Sequence, residues 1–325
     1  MMSRSFSYFY LLLLKLSIEK DSYLEFFCSK IKFRFIDVIL GEDVKLVVGT
    51  AGWRQKYGVT QEGPIDSKSI ENLVQSAKTN GIEWIDTASS YGDAEEIIGD
   101  LKSTLKVATK ISFKGTSQSD LLKELRESEK NLKTSPLNLL FIHDWDLLGK
   151  KERHSASNLL DSLTNSGEIL AWGISSYSTA TLLSLSQFTN SPIRFQINCN
   201  ILDQRLLQFL DQFSEPRNLI NGGEFWIRSI FLQGLLLNPN SSLRQGSHKD
   251  LRNIFSYCEF HDIKPITLAL SFIKTNRYCD KIVIGVNNCE QLGQILTAYR
   301  QNFELSNWTE FASKDVLLID PRKWH

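Results

Sequence analysis

GIEWIDTASSYGDAEEIIGD, residues 81 to 100, contains one complete strand, loop and helix start. Its run EWIDTA has the apolar, aromatic composition of a short buried strand and carries a carboxylate, Asp86, near its end. A small polar stretch with Tyr91 follows. Glu95 and Glu96 then suit the first turn of a helix, where negative charge is favourable. The stretch therefore predicts one βα unit.

The same pattern occurs along the chain from Lys45 onward, where short β-branched runs alternate with helical patterns. Eight such units match the usual size of a (β/α)8 barrel, about 250 residues. We therefore predict an α/β fold: a single-domain (β/α)8 TIM barrel over residues 45–325. An open doubly wound sheet is the alternative, but no G-x-G-x-x-G follows the first strand. The predicted strands are KLVVGT (45–50), EWIDTA (83–88), KVATKI (106–111), LNLLFIHD (137–144), ILAWGIS (169–175), FQINCN (195–200), FWIRSIF (225–231) and KIVIGV (281–286).

Two helical patterns illustrate the segments between the strands. In SKSIENLVQSAKTNG, Ser67 is the expected cap, and Gly81 ends the helix. The apolar face of this helix comprises Ile70, Leu73, Val74 and Ala77. In SDLLKELRESEKNLK, residues 119–133, leucines form the buried stripe and the charges a solvated face. That stripe comprises Leu121, Leu122, Leu125 and Leu132.

Composition narrows the function classes. The chain has 325 residues with 37 Lys and Arg against 37 Asp and Glu, so no overall charge draws it to nucleic acid or to an acidic membrane. The five cysteines are widely spaced, without a C-x-x-C or a zinc-ligand pattern. We therefore predict reduced thiols, no metal and a cytoplasmic protein.

Residues 1–44 differ from the remainder and are predicted to be an N-terminal extension outside the barrel, of the kind that an early choice of translation start can add. Their apolar run FSYFYLLLL is too short to span a bilayer. The second interpretation is a peripheral packing or membrane-surface segment. The third is a signal peptide, although no small-residue cleavage motif follows.

Polar residues at the carboxyl ends of the predicted strands are the candidate site, because barrel active sites lie there. Asp86, Lys110 and His143 end strands two, three and four, and Tyr91 lies in the loop after strand two. We predict that Asp86 pairs with Lys110 and that the ammonium lowers the pKa of the Tyr91 phenol. Such a phenol can protonate a carbonyl oxygen as a hydride arrives, with His143 orienting that oxygen.

These segments resemble the aldo-keto reductases, NADPH-dependent (β/α)8-barrel carbonyl reductases, over roughly residues 45–300. The matching blocks are GIEWIDTASSYGDAEEIIG, VATKIS, LLFIHD and GEILAWGISSYS. The resemblance implies that the family tetrad is Asp86, Tyr91, Lys110 and His143. LVVGTAGWRQKYGVTQEG and IRSIFLQGLLL resemble a bacterial branch often encoded with polysaccharide or nucleotide-sugar genes.

The resemblance also implies cofactor contacts. The first-strand turn near the nicotinamide would be Gly49 and Thr50, and the carboxamide would be bound by Ser175, Ser176 and Gln196. Relatives read Q-x-E-Y-N from this glutamine, with a ring that stacks on the nicotinamide. This chain reads QINCN, so Cys199 replaces the ring.

The end of the last strand lacks the cations that hold the 2′-phosphate of NADPH in many relatives. GVNNCEQLGQI offers amides from Gly285 to Asn288, including Asn287, and Gln291 stands where an arginine is common. The predicted cofactor is NADPH. NADH is the alternative, unless Arg228, Lys274 or another basic residue supplies the charge. Arg228 can equally form a structural ion pair.

Aromatic residues near the predicted strand ends are candidates for the substrate pocket: Trp53, Tyr57 and Trp145. Each can equally pack a loop. The leading hypothesis is reduction of an aldehyde or ketone to an alcohol with Tyr91 as proton donor. The alternatives are a non-catalytic nucleotide-binding subunit or redox sensor, and a lyase or aldolase with a Schiff base on Lys110. The predicted partner is a small carbonyl compound, not nucleic acid, and no integral membrane segment is predicted.

Overall fold

The computed structural model of the chain describes residues 45–59, 64–238 and 249–324. Within these residues, eight parallel strands form a closed barrel in sequential order. The barrel closes where β1 pairs with β8, with Gly49 opposite Gly285. The predicted fold class is therefore confirmed. The prediction for residues 1–44 lies outside the described residues, which also include no helix long and apolar enough to cross a membrane.

Each predicted apolar run overlaps one observed strand. The structure shortens or shifts most of them by one or a few residues, because only the paired part of each run belongs to the barrel. The strands are β1 (Leu46–Gly49), β2 (Trp84–Asp86), β3 (Lys106–Ile111), β4 (Leu139–Ile142), β5 (Trp172–Ser176), β6 (Arg194–Asn198), β7 (Glu224–Arg228) and β8 (Lys281–Gly285).

Helices cover the outside of the barrel. They are α1 (Ser67–Thr79), α2 (Ala94–Asp100), α3 (Gln118–Leu132), α4 (Lys150–Asn165), α5 (Arg205–Leu210), α6 (Lys249–Phe260), α7 (Pro265–Lys274), α8 (Cys289–Arg300) and α9 (Val316–Ile319). Short 3₁₀ helices include Trp145–Leu147, Thr179–Gln187, Pro216–Ile220, Leu232–Leu237, Trp308–Phe311 and Pro321–Lys323.

Helix α1 buries the predicted apolar face, but its cap lies one residue earlier than predicted. Asp66, not Ser67, is the N-cap, and its carboxylate accepts a hydrogen bond from the Ser69 amide at 2.9 Å. In α3 the predicted stripe is buried except for Leu122, which is only partly covered. Helix α2 begins at Ala94, so Glu95 and Glu96 lie in its first turn as predicted.

The interior of the barrel below the strand ends is filled by apolar side chains. Trp226 on β7 contacts Trp84 and Phe141 edge to face, with ring centroids 5.2 and 5.7 Å away. Val47, Ala108, Leu139 and Val283 complete this layer. The barrel is therefore a packed core, as in other barrels of this type, and polar side chains are collected above it at the carboxyl ends.

Candidate active site

A buried ion pair joins the ends of β2 and β3. Lys110 Nζ lies 2.6 Å from Asp86 Oδ2, and the two side chains are 2% and 6% exposed. The ammonium also donates to the backbone carbonyl of Thr87 at 2.8 Å. Gln196 Nε2, from β6, donates to the other carboxylate oxygen of Asp86 at 2.7 Å. The carboxylate thus fixes side chains from two other strands, and the predicted pairing of Asp86 with Lys110 is present.

Tyr91 and His143 lie next to this pair. The loop after β2 turns back where the Tyr91 amide donates to the Ala88 carbonyl at 3.0 Å. This turn brings the Tyr91 ring centroid to 5.4 Å from Lys110 Nζ and 6.0 Å from the His143 ring. The His143 amide donates to the Ile111 carbonyl at 2.8 Å, continuing the β3 to β4 ladder.

All four side chains line one cavity of about 480 Å³ at the carboxyl ends of the strands. The cavity is large enough for a small organic ligand, and such clefts are usual binding sites. Among its other described lining residues are Gly49, Tyr57, Ser175, Tyr177, Gln196, Arg228, Gly285, Asn287 and Gln291.

The pKa of Tyr91 differs from the prediction. Burial raises the pKa of the phenol above its ordinary value, and the Asp86 carboxylate raises it further, while Arg228 acts in the opposite direction. The predicted lowering is therefore wrong for this structure, because desolvation of the phenolate outweighs nearby positive charge. The phenol is held in its protonated form.

His143 and Lys110 are also shifted towards their neutral forms. Burial, together with the positive charges of Lys110 and Arg228, lowers the pKa of His143 to about 3. His143 is therefore a neutral imidazole near pH 7. Burial also lowers the pKa of Lys110 from its ordinary value, and the Asp86 carboxylate opposes that shift.

Several of the predicted cofactor residues line the cavity, and two do not. Thr50 is fully buried, and its hydroxyl donates to that of Thr87 at 2.8 Å. Ser176 donates its hydroxyl to Asp146 Oδ1 at 2.7 Å. Because side chains alternate along a strand, Ser175 faces the cavity and its neighbour does not. The side chains of Thr50 and Ser176 are therefore not among the groups that line the cavity.

Cys199 also lies outside the cavity lining. The side chain is fully buried just beyond the end of β6, and burial raises the pKa of the thiol well above its ordinary value. The inference that Cys199 removes a stacking surface is therefore not supported, and a buried neutral thiol is poorly suited to redox sensing.

The three predicted pocket aromatics separate into two groups. Tyr57 lines the cavity. Trp53 is fully buried, and its indole donates to the Val286 carbonyl at 3.0 Å. Trp145 is fully buried against Phe188, with ring centroids 5.8 Å apart. Trp53 and Trp145 therefore pack the structure and do not form the pocket.

The two basic residues considered as substitute phosphate ligands also differ. Arg228 lines the cavity and donates to the Ser176 carbonyl at 3.3 Å, with its guanidinium 4.1 Å from the Tyr177 ring centroid. Lys274 instead donates to the Tyr299 carbonyl at 2.5 Å, near the C-terminal end of α8. Since α8 begins at the strand ends and runs away from them, Lys274 lies far from the cavity mouth. It cannot supply the missing charge there.

Sequence reasoning missed the loop after β7, whose residues Phe231, Gln233 and Gly234 line the cavity. Gln233 adopts a positive φ of 53°, and its carbonyl accepts a hydrogen bond from the Val59 amide at 3.0 Å. The β1 and β7 loops are thus joined beside the cavity. Tyr177 was also missed, although its position directly after the strand-end serines was a usable signal.

A nicotinamide cofactor is compatible with the residues present. The side-chain oxygen of Gln196 is buried and has no hydrogen-bond partner among the described residues, because only its nitrogen contacts Asp86. A buried acceptor of this kind requires a donor. The amide of a nicotinamide carries such a donor, and Ser175 lines the same part of the cavity.

A family model for the aldo/keto reductase family matches residues 45–315. Among curated proteins, the chain is 24% identical over 309 residues to the D-arabinose 1-dehydrogenase of Saccharomyces cerevisiae, covering 85% of this chain and 88% of that protein. It is 28% identical over 147 residues to the aldo-keto reductase YhdN of Bacillus subtilis, covering 40% and 43%.

Solved structures show the same fold. The holo form of aldo-keto reductase AKR11C1 from Bacillus halodurans superimposes with a TM-score of 0.66 at 17% identity, covering 82% of this chain and 90% of that one. An aldo/keto reductase from Klebsiella pneumoniae, solved in complex with NADP and acetate, gives a TM-score of 0.61 at 16% identity, covering 86% and 92%.

Proposed function

The chain belongs to the aldo/keto reductase family, and from that membership we propose that it is an NAD(P)H-dependent reductase of an aldehyde or ketone. The observation that carries the proposal is the arrangement of Tyr91, Lys110, Asp86 and His143 around one cavity. When bound, the nicotinamide supplies the hydride to the carbonyl carbon, and the residues of this chain supply the proton and the positioning.

Tyr91 is the proposed proton donor. Its raised pKa keeps the phenol protonated at neutral pH, so that it can donate to the carbonyl oxygen as negative charge develops there. The tyrosinate that remains is stabilised by the ammonium of Lys110, whose position the Asp86 carboxylate fixes at 2.6 Å. Lys110 and Asp86 therefore act on the proton transfer through Tyr91.

His143 is proposed to position the substrate. With a pKa of about 3 the imidazole is neutral, so it donates a hydrogen bond to the carbonyl oxygen without competing as an acid. Ser175 and Gln196 are proposed to hold the carboxamide of the cofactor, and Gly49 would contact the nicotinamide. Gly285, Asn287 and Gln291 would contact the part of the cofactor that lies towards β8.

We propose NADPH as the preferred cofactor, with NADH also accepted. Gln291 does not offer a cation, and its side-chain oxygen accepts from the Asn287 amide at 2.8 Å. Among the described residues that line the cavity, the cationic side chains are those of Lys110 and Arg228, and neither lies on the β8 turn. We therefore expect only a weak preference for NADPH over NADH. Titration with each nucleotide by fluorescence quenching measures it.

We further propose a sugar-derived carbonyl substrate and a cytoplasmic location. The resemblance to a branch encoded with polysaccharide genes and the sugar named for the yeast relative support the first. The free Cys199, Cys258, Cys279 and Cys289 support the second.

The test is replacement of Tyr91 by Phe, followed by nicotinamide absorbance with a panel of small aldehydes. Loss of a general acid lowers kcat by about 100-fold or more. Tyr57→Phe is the matched control, since it removes a phenol hydroxyl from the same cavity and should leave kcat within a few-fold. Full activity of Tyr91→Phe, with unchanged nucleotide binding, would rule out the assignment of the proton donor.

A further inference from the structure

A second cavity, of about 310 Å³, lies beside the candidate active site. It is bounded by the ends of β5 and β6, by the start of α5 and by the C-terminal segment around Asp320 to Lys323. We call it the basic cavity, after its residues Arg205, Arg322 and Lys323. None of the cofactor or catalytic positions discussed above lies in its lining.

Asn198 gives the basic cavity an unsatisfied hydrogen-bonding group. The side chain is 4% exposed and lines the cavity, yet neither its amide nitrogen nor its amide oxygen has a partner among the described residues. A buried amide without partners is costly, and it is usually satisfied by water or by a ligand. Asn198 therefore offers one donor group and one acceptor to a molecule in the cavity.

The charged residues of the basic cavity favour an anion. Arg205 and Arg322 are each held by a buried aspartate, Asp203 and Asp320, through two hydrogen bonds of 2.7 to 2.9 Å. A guanidinium has five N–H donors, so each arginine keeps donors that its aspartate does not use. Lys323 is exposed and adds a third cation against the two carboxylates. The cavity therefore carries net positive charge and an excess of donors.

The basic cavity adjoins the catalytic cavity at Tyr177, which lines both. Arg228 contacts the Tyr177 ring with its guanidinium 4.1 Å from the centroid, and Arg322 contacts the same ring at 3.7 Å. The two cavities are therefore neighbours that share Tyr177. A substrate long enough to extend past Tyr177 would place its carbonyl at Tyr91 and its other end among the cations.

We propose that the basic cavity binds an anionic group, a phosphate or a carboxylate, of the carbonyl substrate. This inference rests on the proposed reductase function and narrows its substrate class to anionic aldehydes or ketones. The phosphates of the cofactor are a poor alternative occupant. The residues predicted to hold them lie at the end of β8 and in the turn and helix that follow it, and β8 is separated from β6 by β7.

The test uses the full chain and ligands that have no carbonyl, so that binding does not depend on turnover. Glycerol 3-phosphate, glycerol and inorganic phosphate are titrated by isothermal titration calorimetry. A charge-assisted hydrogen bond is equivalent to about tenfold or more in affinity, so glycerol 3-phosphate should bind at least about tenfold more tightly than glycerol. Its affinity should also exceed that of inorganic phosphate, because its carbon chain and hydroxyl groups add contacts that phosphate alone cannot make.

Two variants locate the binding. Asn198→Leu removes no hydrogen bond of the structure and should reduce the advantage of glycerol 3-phosphate about tenfold. Lys323→Met removes a positive charge at an exposed position. Arg322→Met is avoided because it would leave Asp320 buried and unpaired and could unfold the protein. Lys314→Met, an exposed lysine outside the cavity lining, is the control and should change nothing.

Four outcomes would overturn the proposal. The first is equal binding of glycerol 3-phosphate and glycerol, and the second is an advantage that survives in Asn198→Leu and Lys323→Met. The third is equally tight binding of inorganic phosphate, which would identify a site for a free anion. A loss of NADPH affinity in Asn198→Leu would likewise reassign the cavity to the cofactor. The reductase proposal is separate, because Tyr91→Phe should keep glycerol 3-phosphate binding while it loses turnover.

Discussion

Lys110 Nζ lies 2.6 Å from Asp86 Oδ2 in the interior of the barrel mouth. The second oxygen of the same carboxylate accepts from Gln196 at 2.7 Å, so one buried anion links β2, β3 and β6. An ammonium buried to this extent requires its partner, because removing one member of a buried pair leaves an uncompensated charge. The pair therefore supports both the fold and the cavity above it.

Asp86→Asn should destabilise the protein substantially. The amide keeps the shape of the side chain but leaves the Lys110 ammonium without a counter-ion, and we expect the free energy of unfolding to fall by about 3–5 kcal/mol. Urea denaturation at pH 7 measures this change. Glu71→Gln is the control, since its pair with Lys68 is solvent-exposed and should contribute less than about 1 kcal/mol. Equal effects of the two substitutions would contradict the role of the buried pair.

The raised pKa of Tyr91 predicts opposite pH dependences for the two directions of the reaction. Reduction needs the protonated phenol, so its kcat should not fall as pH rises to about 10, the ordinary pKa of a phenol. Alcohol oxidation needs the phenolate as base, so its rate should rise throughout the same range. Initial rates in both directions from pH 6 upward provide the measurement. If reduction falls near pH 8 at saturating cofactor and the rate of oxidation reaches a plateau there, the phenol titrates early; a fall in reduction alone would report loss of the Lys110 proton.

His143 should make the protein less stable in acid. Its pKa is about 3 in the folded protein against 6.5 ordinarily, so the unfolded chain binds the proton more readily. Stability from this group is present above pH 6.5 and is lost as pH falls towards 3. Between pH 7.5 and pH 4, wild type should therefore lose more unfolding free energy than His143→Gln. The same loss in both proteins would show that the imidazole is not held neutral by the fold.

The sequence predicts the barrel because strand and helix periodicities are local properties. Each apolar run overlaps a strand, and the strand-end rule correctly placed Asp86, Lys110 and His143 at one mouth. The predictions that were wrong depend on contacts between segments that are far apart in the sequence. Thr50 and Trp53 lie beside β1 but are directed to Thr87 and Val286, which no local pattern reveals.

The electrostatics of the site were also beyond local patterns. The nearest cation was expected to lower the pKa of the Tyr91 phenol. The pKa depends instead on how completely the folded barrel excludes water from the phenol. Lys274 was a candidate phosphate ligand because the sequence pattern does not give the direction of its helix relative to α8. Asn198 carries no charge, so only its burial without partners distinguishes it from other strand residues.

Gly58→Ala should destabilise the junction between the β1 and β7 loops by more than the cost of a positive φ alone. Gly58 has a φ of 76°, and a Cβ there would lie 2.5 Å from the Gln233 carbonyl oxygen. Gly222 has the same φ of 76°, but a Cβ there would meet nothing within 4 Å. Both alanine substitutions carry the cost of the left-handed region, about 1–2 kcal/mol. The difference between them therefore isolates the clash.

We expect Gly58→Ala to lower the free energy of unfolding more than Gly222→Ala does, and to weaken nucleotide binding as well. The second effect follows because the loop residues Gln233 and Gly234 line the catalytic cavity and would be displaced with the carbonyl. Urea denaturation and fluorescence titration with NADPH distinguish the two effects. If the two variants matched in stability and nucleotide affinity, the Val59 to Gln233 hydrogen bond would not be what holds these loops together over the cavity.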